Sequence, residues 1–427
     1  MSYQAIVAKA NVYEHPNADN LQLANVNGYT IVVGKNVQDG ELGILFPPDG
    51  QISPEFAEAN DLIGYTDPDT GKRCGGFFAK NRRVRSQRLR GEKSEGFWTT
   101  LDSVSFIEGL SGLPLPELKE GDKFDTLNGI PICNKYFTPA TIKAMGQQKT
   151  QKKNKCFPKH VETEKLQYEV NSIPEGSLIY ITEKLHGTSG RYSFVLDEQE
   201  LPKTLFQKLF RRPAKKDSSY KVLTGTRNLI LNNTNVESFY GAEGFRYNIV
   251  NKFKNLSGET VLRKGEVIYG EIVGYTDTGA SIMGQHDTSE LKEIKKKYGP
   301  KMEYKYGEIT GNCEFYVYRI IQVNEDGEYV ELPWSQVKAR CKELAIKFVP
   351  EMYPPFIYDK QDLIGIADSL MEGESTLDNS HIREGVVFRV EDPNGHTNFY
   401  KSKSFTFGVL EGYLKSGDEF IDREEVS

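Results

Sequence analysis

A lysine that directly follows an apolar run constrains this chain more than any other local feature. Residues 178–181 read Leu-Ile-Tyr-Ile, which predicts a buried strand, and residues 182–189 continue as Thr-Glu-Lys-Leu-His-Gly-Thr-Ser. A lysine at the end of a buried strand is partly desolvated, so its pKa can fall and leave a nucleophilic amine. Gly187 lets the backbone approach a bound phosphate or base closely. On its own, however, Lys-x-His-Gly is equally consistent with an ordinary strand that ends in a loop.

Four further segments follow, each with charged or aromatic side chains in a strand-like pattern. Strand side chains alternate between two faces, so both lysines of the last segment lie on one face. Taken singly, such charges are usually solvated strand edges, and such aromatics usually belong to a sheet core. The segments are residues 265–276 with Glu271, residues 314–320 with Tyr318, residues 383–389 with Glu384, and residues 399–404 with Lys401 and Lys403.

The order in which these segments follow one another is more specific than any single segment. Lys-x-His-Gly, Gly-Glu, the aromatic strand, Glu-Gly-Val-Val-Phe-Arg and Lys-x-Lys follow one another here. This order resembles the covalent nucleotidyltransferase superfamily of ATP-dependent ligases and RNA-capping enzymes. DNA ligases and capping enzymes mostly have an aspartate where this chain has His186. The histidine makes the chain similar to RNA ligases of the double-strand-repair type.

The resemblance implies a mechanism and a set of site residues. Lys184 would attack the α-phosphorus of ATP and form a lysyl-AMP phosphoramidate, with Lys401 and Lys403 as further catalytic residues beside the α-phosphate. Glu384 would hold Mg²⁺ or Mn²⁺, because carboxylate and phosphate oxygens suit these ions. Glu271 would contact the ribose or take part in the metal site through a metal-bound water. The implied nucleotide contacts are Glu183 (through its backbone carbonyl), His186, Gly187, Arg227, Glu271, Tyr318, Lys401 and Lys403.

The chain departs from the family pattern at two places. Arg227 lies much further beyond Lys184 than the family's phosphate-gripping arginine usually does, so Arg191 is a competing candidate. Residues 201–216, which are basic and amphipathic, account for the difference as an insertion. Ser189 replaces an asparagine that several RNA ligases carry, which leaves the nucleotide contact at that position open.

The N-terminal third of the chain has a different residue pattern, rich in short strands and turns. Short alternating strands with Asn-Gly and Asp-Gly turns predict a small β-barrel over residues 1–130. The string His-Pro-Asn-Ala-Asp at residues 15–19 resembles the oligonucleotide-binding (OB) barrels of tRNA-binding modules. Residues 80–91 are dense in arginine and precede Phe97, a combination that favours nucleic-acid binding over a solvated basic hairpin. The candidate nucleic-acid contacts are Arg82, Arg83, Arg85, Arg88 and Arg90, together with Arg227.

A barrel that precedes the nucleotidyltransferase segment resembles the Deinococcus-type branch of RNA ligases. Residues 157–160, Phe-Pro-Lys-His, are also similar to that branch where its catalytic domain begins. The resemblance implies sealing of 3′-OH and 5′-phosphate ends in a duplex, with RNA on the 3′-OH side. We therefore expect RNA, or an RNA-containing nicked duplex, as the partner of this protein.

Composition limits the remaining possibilities. A chain of 427 residues predicts two or three domains, here residues 1–130, a linker at 131–155 and a catalytic domain at 156–427. The net charge of −6 argues against a general polyanion binder, so the basic stretches are local features whose binding should depend strongly on salt. Five unclustered cysteines argue against a disulfide framework or structural zinc. With no signal peptide or membrane-length apolar run, we expect a soluble, cytoplasmic protein that does not bind membranes. The resemblance to ligases of this design implies a monomer.

The sequence thus predicts an α+β protein: an antiparallel-sheet, ligase-type nucleotidyltransferase domain preceded by an all-β OB barrel. The expected function is an ATP-dependent RNA ligase with ATP and Mg²⁺ (or Mn²⁺) as cofactors. One alternative is an mRNA-capping-type guanylyltransferase, which His186 and the shortness of the chain after Lys403 disfavour. The other is a nucleic-acid-binding protein with an inactive nucleotidyltransferase domain, which the presence of every motif lysine and acid disfavours.

Overall fold

The computed structural model describes residues 3–71, 73–146, 153–200, 216–231, 244–289 and 291–414. Most of the basic insertion (201–215) and the centre of the expected linker (147–152) lie outside these residues. The chain divides into two compact units: Met1–Pro139 with Phe405–Phe420, and Ala140–Ser404 with Ile421–Ser427. Within the described ranges, every helix is too short or too polar to cross a membrane.

The first unit is built on an antiparallel sheet with the strand order β10 (Phe97–Thr100), β4 (Glu41–Phe46), β1 (Ala5–Glu14), β2 (Leu21–Val26) and β3 (Tyr29–Gly34). The short strand β11 (Lys123–Phe124) also pairs with β1. Its hairpin between β2 and β3 turns at Asn27 and Gly28, which both have positive φ (49° and 81°), as the predicted Asn-Gly turn requires. The strands are β1 Ala5–Glu14, β2 Leu21–Val26, β3 Tyr29–Gly34, β4 Glu41–Phe46, β5 Gly50–Ile52, β6 Gly64–Thr66, β7 Arg73–Gly75, β8 Ser86–Leu89, β9 Glu92–Glu95, β10 Phe97–Thr100, β11 Lys123–Phe124, β12 Thr126–Leu127, β13 Ile130–Pro131 and β14 Cys133–Lys135.

Inward-facing aliphatic and aromatic side chains of this sheet pack against two short helices. The first begins at a Ser53 cap, whose hydroxyl accepts the Phe56 amide hydrogen at 3.0 Å. The core contains Val7, Ile44, Phe46, Phe56 and Ile107, all fully buried. The helical segments are Pro54–Ala59, Leu101–Val104 (3₁₀), Phe106–Ser111 and Phe405–Leu414, and the helix Pro139–Gly146 crosses the division between the units.

The helix Phe405–Leu414 belongs to the first unit although it follows the catalytic segment in sequence. Arg83 donates a hydrogen bond to the carbonyl oxygen of Gly412 at 2.8 Å, and the Arg88 guanidinium lies 5.4 Å from the centre of the Phe405 ring. The domain boundaries predicted from the sequence include this helix in the catalytic segment 156–427. Its packing against β8 is a long-range contact that local pattern does not reveal.

The second unit contains two larger sheets, antiparallel except where β15 pairs with β28 and β25 pairs with β23. The first has the order β15-β28-β27-β16-β26, and the second has the order β19-β18-β17-β20-β23-β24. The strands are β15 Glu164–Lys165, β16 Leu178–Lys184, β17 Thr188–Glu200, β18 Lys216–Gly225, β19 Ile230–Leu231, β20 Glu266–Gly274, β21 Gln285–Asp287, β22 Lys301–Glu303, β23 Cys313–Val323, β24 Tyr329–Glu331, β25 Lys347–Phe348, β26 Glu351–Ile357, β27 Gly385–Glu391 and β28 Thr397–Lys403.

Short helices accompany the two sheets of the second unit. The amphipathic helix Leu363–Met371 buries Leu363, Ala367 and Met371 against Val386 and Phe388 of β27. The helical segments are Leu166–Glu169, Val170–Ser172 (3₁₀), Gly244–Val250, Asn251–Phe253 (3₁₀), Lys292–Tyr298, Trp334–Glu343 and Leu363–Met371.

The chain crosses from one sheet to the other immediately after Lys184. β16 ends at Lys184 in the first sheet, β17 begins at Thr188 in the second, and only residues 185–187 connect them. The strands predicted from the apolar run and from the downstream segments are confirmed as β16, β20, β23, β27 and β28. The α+β architecture with antiparallel sheets is confirmed as well.

Candidate active site

Strand register brings two of the predicted lysines and one glutamate together. Lys184 on β16 lies opposite Gly385 on β27, and Gly385 lies opposite Lys403 on β28. Glu384 immediately precedes Gly385, so its carboxylate reaches the ends of both neighbouring strands. The Lys184 Nζ lies 2.8 Å and the Lys403 Nζ 3.1 Å from the same Glu384 oxygen, Oε1.

This triad is largely withdrawn from solvent. The Glu384 side chain is fully buried, and the side chains of Lys184 and Lys403 are 17% and 24% exposed. Burial by itself raises the pKa of Glu384, but the two lysines, with His186, outweigh it and hold that pKa well below its ordinary value. The carboxylate therefore stays ionised at neutral pH and faces two cationic side chains.

Gly385 makes this convergence possible. Its φ of +153° is unfavourable for residues with a Cβ, and an added Cβ would lie 2.1 Å from the carbonyl oxygen of Ser402 on β28. The Glu384 carbonyl oxygen in turn accepts the Ser404 amide hydrogen at 2.8 Å. The glycine thus allows β28 to approach closely enough to place Lys403 against Glu384.

The turn after Lys184 is packed on both sides. The His186 Nδ1 lies 3.5 Å from Glu384 Oε2, and its ring packs edge-on against Tyr304 at 4.7 Å between centroids. A Cβ on Gly187 would lie 2.4 Å from the carbonyl oxygen of Ile272 on β20. The close backbone approach predicted for Gly187 is therefore made, within the protein, to β20.

The second sheet supplies Glu271 and Tyr318. Glu271 on β20 lies opposite Ser189 on β17 and opposite Tyr316 on β23. The Tyr318 hydroxyl lies 3.1 Å from His160 Nδ1. Burial, followed by the charge of Glu271, raises the pKa of Tyr318, so its phenol remains protonated.

His160 lies against Tyr318 and Tyr269 of the second sheet, and it was not among the site residues predicted from the sequence. Burial lowers its pKa well below the ordinary value, and the charges of Arg227, Arg319, Arg191 and Lys184 lower it further. The imidazole is therefore neutral beside Tyr318. The Phe-Pro-Lys-His string was noticed for its resemblance, but the string alone gave no reason to place the histidine in the site.

Arg191 and Arg227, the two candidates for the phosphate-binding arginine, have different surroundings. Arg191 is 1% exposed and donates hydrogen bonds to the carbonyl oxygens of Thr226, Pro158 (2.6 Å) and Leu229 (2.9 Å). Burial lowers its pKa to about 10. Arg191 is thus engaged with backbone carbonyls inside the sheet. Arg227, whose Nη2 lies 3.5 Å from Glu162 Oε1, is the arginine whose charge acts most strongly on His160.

The two remaining candidates lie on the first sheet. Lys401 on β28 is opposite Val387 on β27 and opposite Lys165 on β15, on the same face of β28 as Lys403. The Glu183 side chain is buried, and its Oε2 accepts hydrogen bonds from the backbone amide (2.9 Å) and the hydroxyl of Thr376. This bond ties the residue before Lys184 to the segment that leads into Glu384.

A preformed metal centre is absent from the described residues, which contain no group of three or more His, Cys, Asp or Glu side chains placed to hold an ion. Glu384 nevertheless offers a buried, ionised carboxylate, the hard oxygen donor that Mg²⁺ or Mn²⁺ prefers. The residues therefore fit a divalent cation whose remaining ligands are phosphate oxygens and water.

The arginine-rich stretch of the first unit divides by exposure. Arg83 is buried, and burial lowers its pKa. Its guanidinium donates to the carbonyl oxygen of Gly412 and lies over the Tyr136 ring, 5.0 Å from the ring centre. The prediction that Arg83 contacts nucleic acid is therefore corrected. Arg82 and Arg85 are half-buried. Arg88 and Arg90 are exposed and line a cleft of about 640 Å³ together with three aromatic side chains, Phe77, Phe97 and Trp98.

Comparisons with known proteins identify a family for the chain and solved structures with a similar fold. The family model described as RNA ligase matches residues 177–403. Among solved structures, a mutant Naegleria gruberi RNA ligase in its apo form has 19% identity and a TM-score of 0.58, covering 97% of this chain and 99% of that one. A Naegleria gruberi RNA ligase mutant with ATP and Mn has 18% identity, a TM-score of 0.58 and the same coverage. The same ligase with PPi has 18% identity and a TM-score of 0.56, covering 97% of this chain and 98% of that one.

No curated protein sequence gives a significant match. The solved structures, at below 25% identity, establish the shared fold. The family model spans more than half of the 427 residues, from the strand before Lys184 to Lys403. This protein therefore belongs to the RNA ligase family.

Proposed function

We propose that the protein is an ATP-dependent RNA ligase that uses Lys184 as its nucleophile. The observation that carries the proposal is the buried triad of Lys184, Glu384 and Lys403. In the first step, Lys184 gives up to solvent the proton that pairs it with Glu384, and its neutral amine attacks the α-phosphorus of ATP. A P–N bond forms, and the bond to the pyrophosphate oxygen breaks. The lysine nitrogen then loses a second proton to solvent, and the products are lysyl-AMP and pyrophosphate.

The triad supplies orientation and charge for this step. Glu384 holds the Lys184 amine at the strand end, and a second cation at Lys403 shares the same carboxylate oxygen. An anionic triphosphate entering the site gives Lys403 and Lys401 a new partner, so they are available to stabilise charge on the α-phosphate. Removal of one preorganised charge of this kind typically slows a reaction by about 10²-fold or more.

A nucleoside triphosphate and a divalent cation are proposed on the same grounds. Glu384 and Glu271 would hold the cation, which supplies electrophilic stabilisation of phosphate oxygens. Tyr318, Arg227 and the Glu183 backbone are the proposed nucleotide contacts, with His186 and Gly187 forming the turn beside them. Structures of the Naegleria gruberi ligase with ATP and Mn, and with PPi, support this assignment by fold similarity.

Two further steps complete the proposed reaction. The AMP passes from Lys184 to a 5′-phosphate of the nucleic acid, giving a 5′-5′ pyrophosphate, and a 3′-OH then displaces AMP. Arg227 would contact the 5′-phosphate in the second step. We propose nicks in an RNA-containing duplex as substrate and a monomer, of the Deinococcus-type branch, as the acting species in a reducing, cytoplasmic compartment.

We propose that the first unit is an OB-like domain that contacts the nucleic acid. The two end strands of its main sheet, β3 and β10, both line the 640 Å³ cleft, as expected for a sheet that curls towards a barrel. Arg88 and Arg90 provide the positive charge there, and the Phe77 and Phe97 rings, 5.3 Å apart, provide stacking surface. Arg82, Arg85 and Arg227 remain secondary candidates.

The proposal is tested by incubation with α-³²P-ATP and Mg²⁺, followed by a denaturing gel. The wild type should retain label and Lys184→Ala should not, whereas Lys9→Ala, which removes a lysine of the first unit paired with Glu120, should label normally. Label from GTP alone would instead indicate a capping-type guanylyltransferase. No label from either nucleotide would leave a nucleic-acid-binding protein with an inactive domain.

A further inference from the structure

A buried tyrosine outside all five motifs contacts the turn that carries His186. The Tyr306 hydroxyl lies 2.6 Å from the His186 backbone nitrogen, so the hydroxyl oxygen accepts the amide hydrogen. This amide lies between the strands: β16 ends at Lys184 and β17 begins at Thr188, so no sheet ladder satisfies it. A side chain 120 residues away in sequence therefore supplies its hydrogen bond.

The surroundings of Tyr306 hold it in an unusual backbone conformation. Its φ is +53°, a left-handed value that is uncommon for a residue with a large side chain. The next residue, Gly307, also has positive φ (79°), and its amide donates to Asp378 Oδ2 at 2.9 Å. The Tyr306 ring packs edge-on against His381 at 4.5 Å between centroids. Strained conformations of this kind persist where neighbouring contacts over-determine them, often near functional sites.

The Tyr306 hydroxyl can keep its hydrogen bond to the His186 amide at any pH near neutrality. Tyr306 is 3% exposed, and burial raises its pKa well above the ordinary value, so the phenol remains neutral. A neutral hydroxyl accepts the amide hydrogen and keeps its own proton. The contact therefore does not change with pH in the neutral range.

We infer that Tyr306 is a positioning residue for the nucleophile: its hydroxyl fixes the turn at residues 185–187 and thereby the direction of Lys184 and His186. The inference rests on the proposed function, because it concerns the attack of Lys184 on ATP. Only residues 185–187 connect the strand end that carries Lys184 to β17. Without the hydrogen bond at the middle of this connection the turn can shift, and shifts near 1 Å can slow a reaction by about 10²-fold.

The test compares two phenylalanine variants. Tyr306→Phe removes only the hydroxyl that accepts the His186 amide hydrogen. The control Tyr304→Phe removes a hydroxyl of the same buried cluster, 3.2 Å from His286 Nδ1, and keeps the ring that packs against His186. Single-turnover formation of lysyl-AMP is measured over a range of ATP concentrations. We expect Tyr306→Phe to lower the maximal rate by about 10- to 100-fold with little change in half-saturating ATP, and Tyr304→Phe to stay within about twofold of wild type.

A second readout separates positioning from general damage. Sealing of a nicked RNA duplex that already carries the 5′-adenylate does not use the attack of Lys184, so Tyr306→Phe should retain it within about twofold. If Tyr306→Phe does not fold, Asp378→Ala, which removes the bond to Gly307, should show the same fall in maximal rate at smaller amplitude.

The outcomes distinguish the inference from the function on which it rests. Wild-type protein that takes no label from ATP overturns the proposed function and the inference with it. Wild-type labelling with unchanged Tyr306→Phe kinetics overturns the inference alone. Equal losses of rate in both phenylalanine variants, or an equal loss of sealing on the adenylylated nick, would assign Tyr306 a packing role and likewise overturn the inference.

Discussion

Replacement of Glu384 by glutamine should destabilise the second unit far more than removal of the nucleophile. Glu384→Gln keeps the size of the side chain but leaves Lys184 and Lys403 without the carboxylate that both contact. Lys184→Met, by comparison, removes one cation and leaves Glu384 paired with Lys403. The two substitutions therefore remove opposite signs of charge from the same triad.

The magnitude follows from the distances. At an effective dielectric constant of about 20, each amine attracts the carboxylate by roughly 5–6 kcal/mol before desolvation. Both amines contact one oxygen, so they lie within about 6 Å of each other and repel by roughly 3 kcal/mol once the carboxylate is neutral. Removing one partner of a buried ion pair typically costs about 3–5 kcal/mol. We expect that cost for Glu384→Gln and a smaller one for Lys184→Met, because Glu384 keeps Lys403 as its partner and the repulsion between the two amines disappears.

The assay is urea unfolding followed by tryptophan fluorescence. The chain has two tryptophans, Trp98 in the first unit and Trp334 in the second. In a Trp98→Phe background, the signal reports the second unit alone, and both triad variants are compared in that background. Near-equal stabilities of Glu384→Gln and wild type, or a larger destabilisation by Lys184→Met, would refute the electrostatic reasoning.

The wild type and Glu384→Gln can also be compared as a function of pH. The folded-state pKa of Glu384 lies well below its ordinary value, so its contribution to stability is complete above that ordinary value and disappears as pH falls through the folded-state pKa. Glu384→Gln lacks this contribution. The stability difference from wild type should therefore be constant above about pH 5 and shrink in more acidic solution. A difference that grows on acidification would contradict the assignment.

Packing and charge give three further predictions. Gly385→Ala should cost at least about 3 kcal/mol, seen as a large fall in melting temperature, because the new methyl group would lie 2.1 Å from a backbone oxygen of β28. Arg191→Lys should destabilise the fold by about 2–3 kcal/mol, because a single ammonium cannot reach the four carbonyl oxygens that the three guanidinium nitrogens bind. Arg227→Lys should keep the melting temperature of the protein and slow lysyl-AMP formation. Joint replacement of Arg88 and Arg90 by alanine should weaken binding to nicked RNA. The slope of log affinity against log salt concentration should fall by roughly one for each phosphate that the arginines had bound. An unchanged slope would show that the cleft does not contact the nucleic acid.

The catalytic strands were predictable because their signals are local. Alternation of apolar and polar residues marks β16, β20 and β27, and the same alternation places Lys401 and Lys403 on one face. The order of the motifs then indicated the family without any knowledge of distances. The roles assigned to the individual site residues remain predictions for the experiments above.

Contacts between distant segments were not predictable in this way. Arg83 and Arg88 stand close together in one basic stretch, yet one is buried against Gly412 and the other is exposed in a cleft. Arg83 is buried because it contacts a helix that lies more than three hundred residues further along the chain. Likewise, nothing in the sequence around Tyr306 indicates that its hydroxyl contacts the His186 backbone.

By itself, the sequence determined the antiparallel strands, the order of the nucleotidyltransferase motifs and hence the family, because side-chain periodicity and motif order are properties of neighbouring residues. Only the tertiary structure decided that Lys184, Glu384 and Lys403 meet in one buried cluster and that Arg191 binds backbone carbonyls rather than facing the site. It also decided that the Tyr306 hydroxyl accepts the amide hydrogen of His186, two residues after Lys184. Those outcomes depend on strand register and on burial, through which residues far apart in the chain change one another's charge state and available hydrogen bonds.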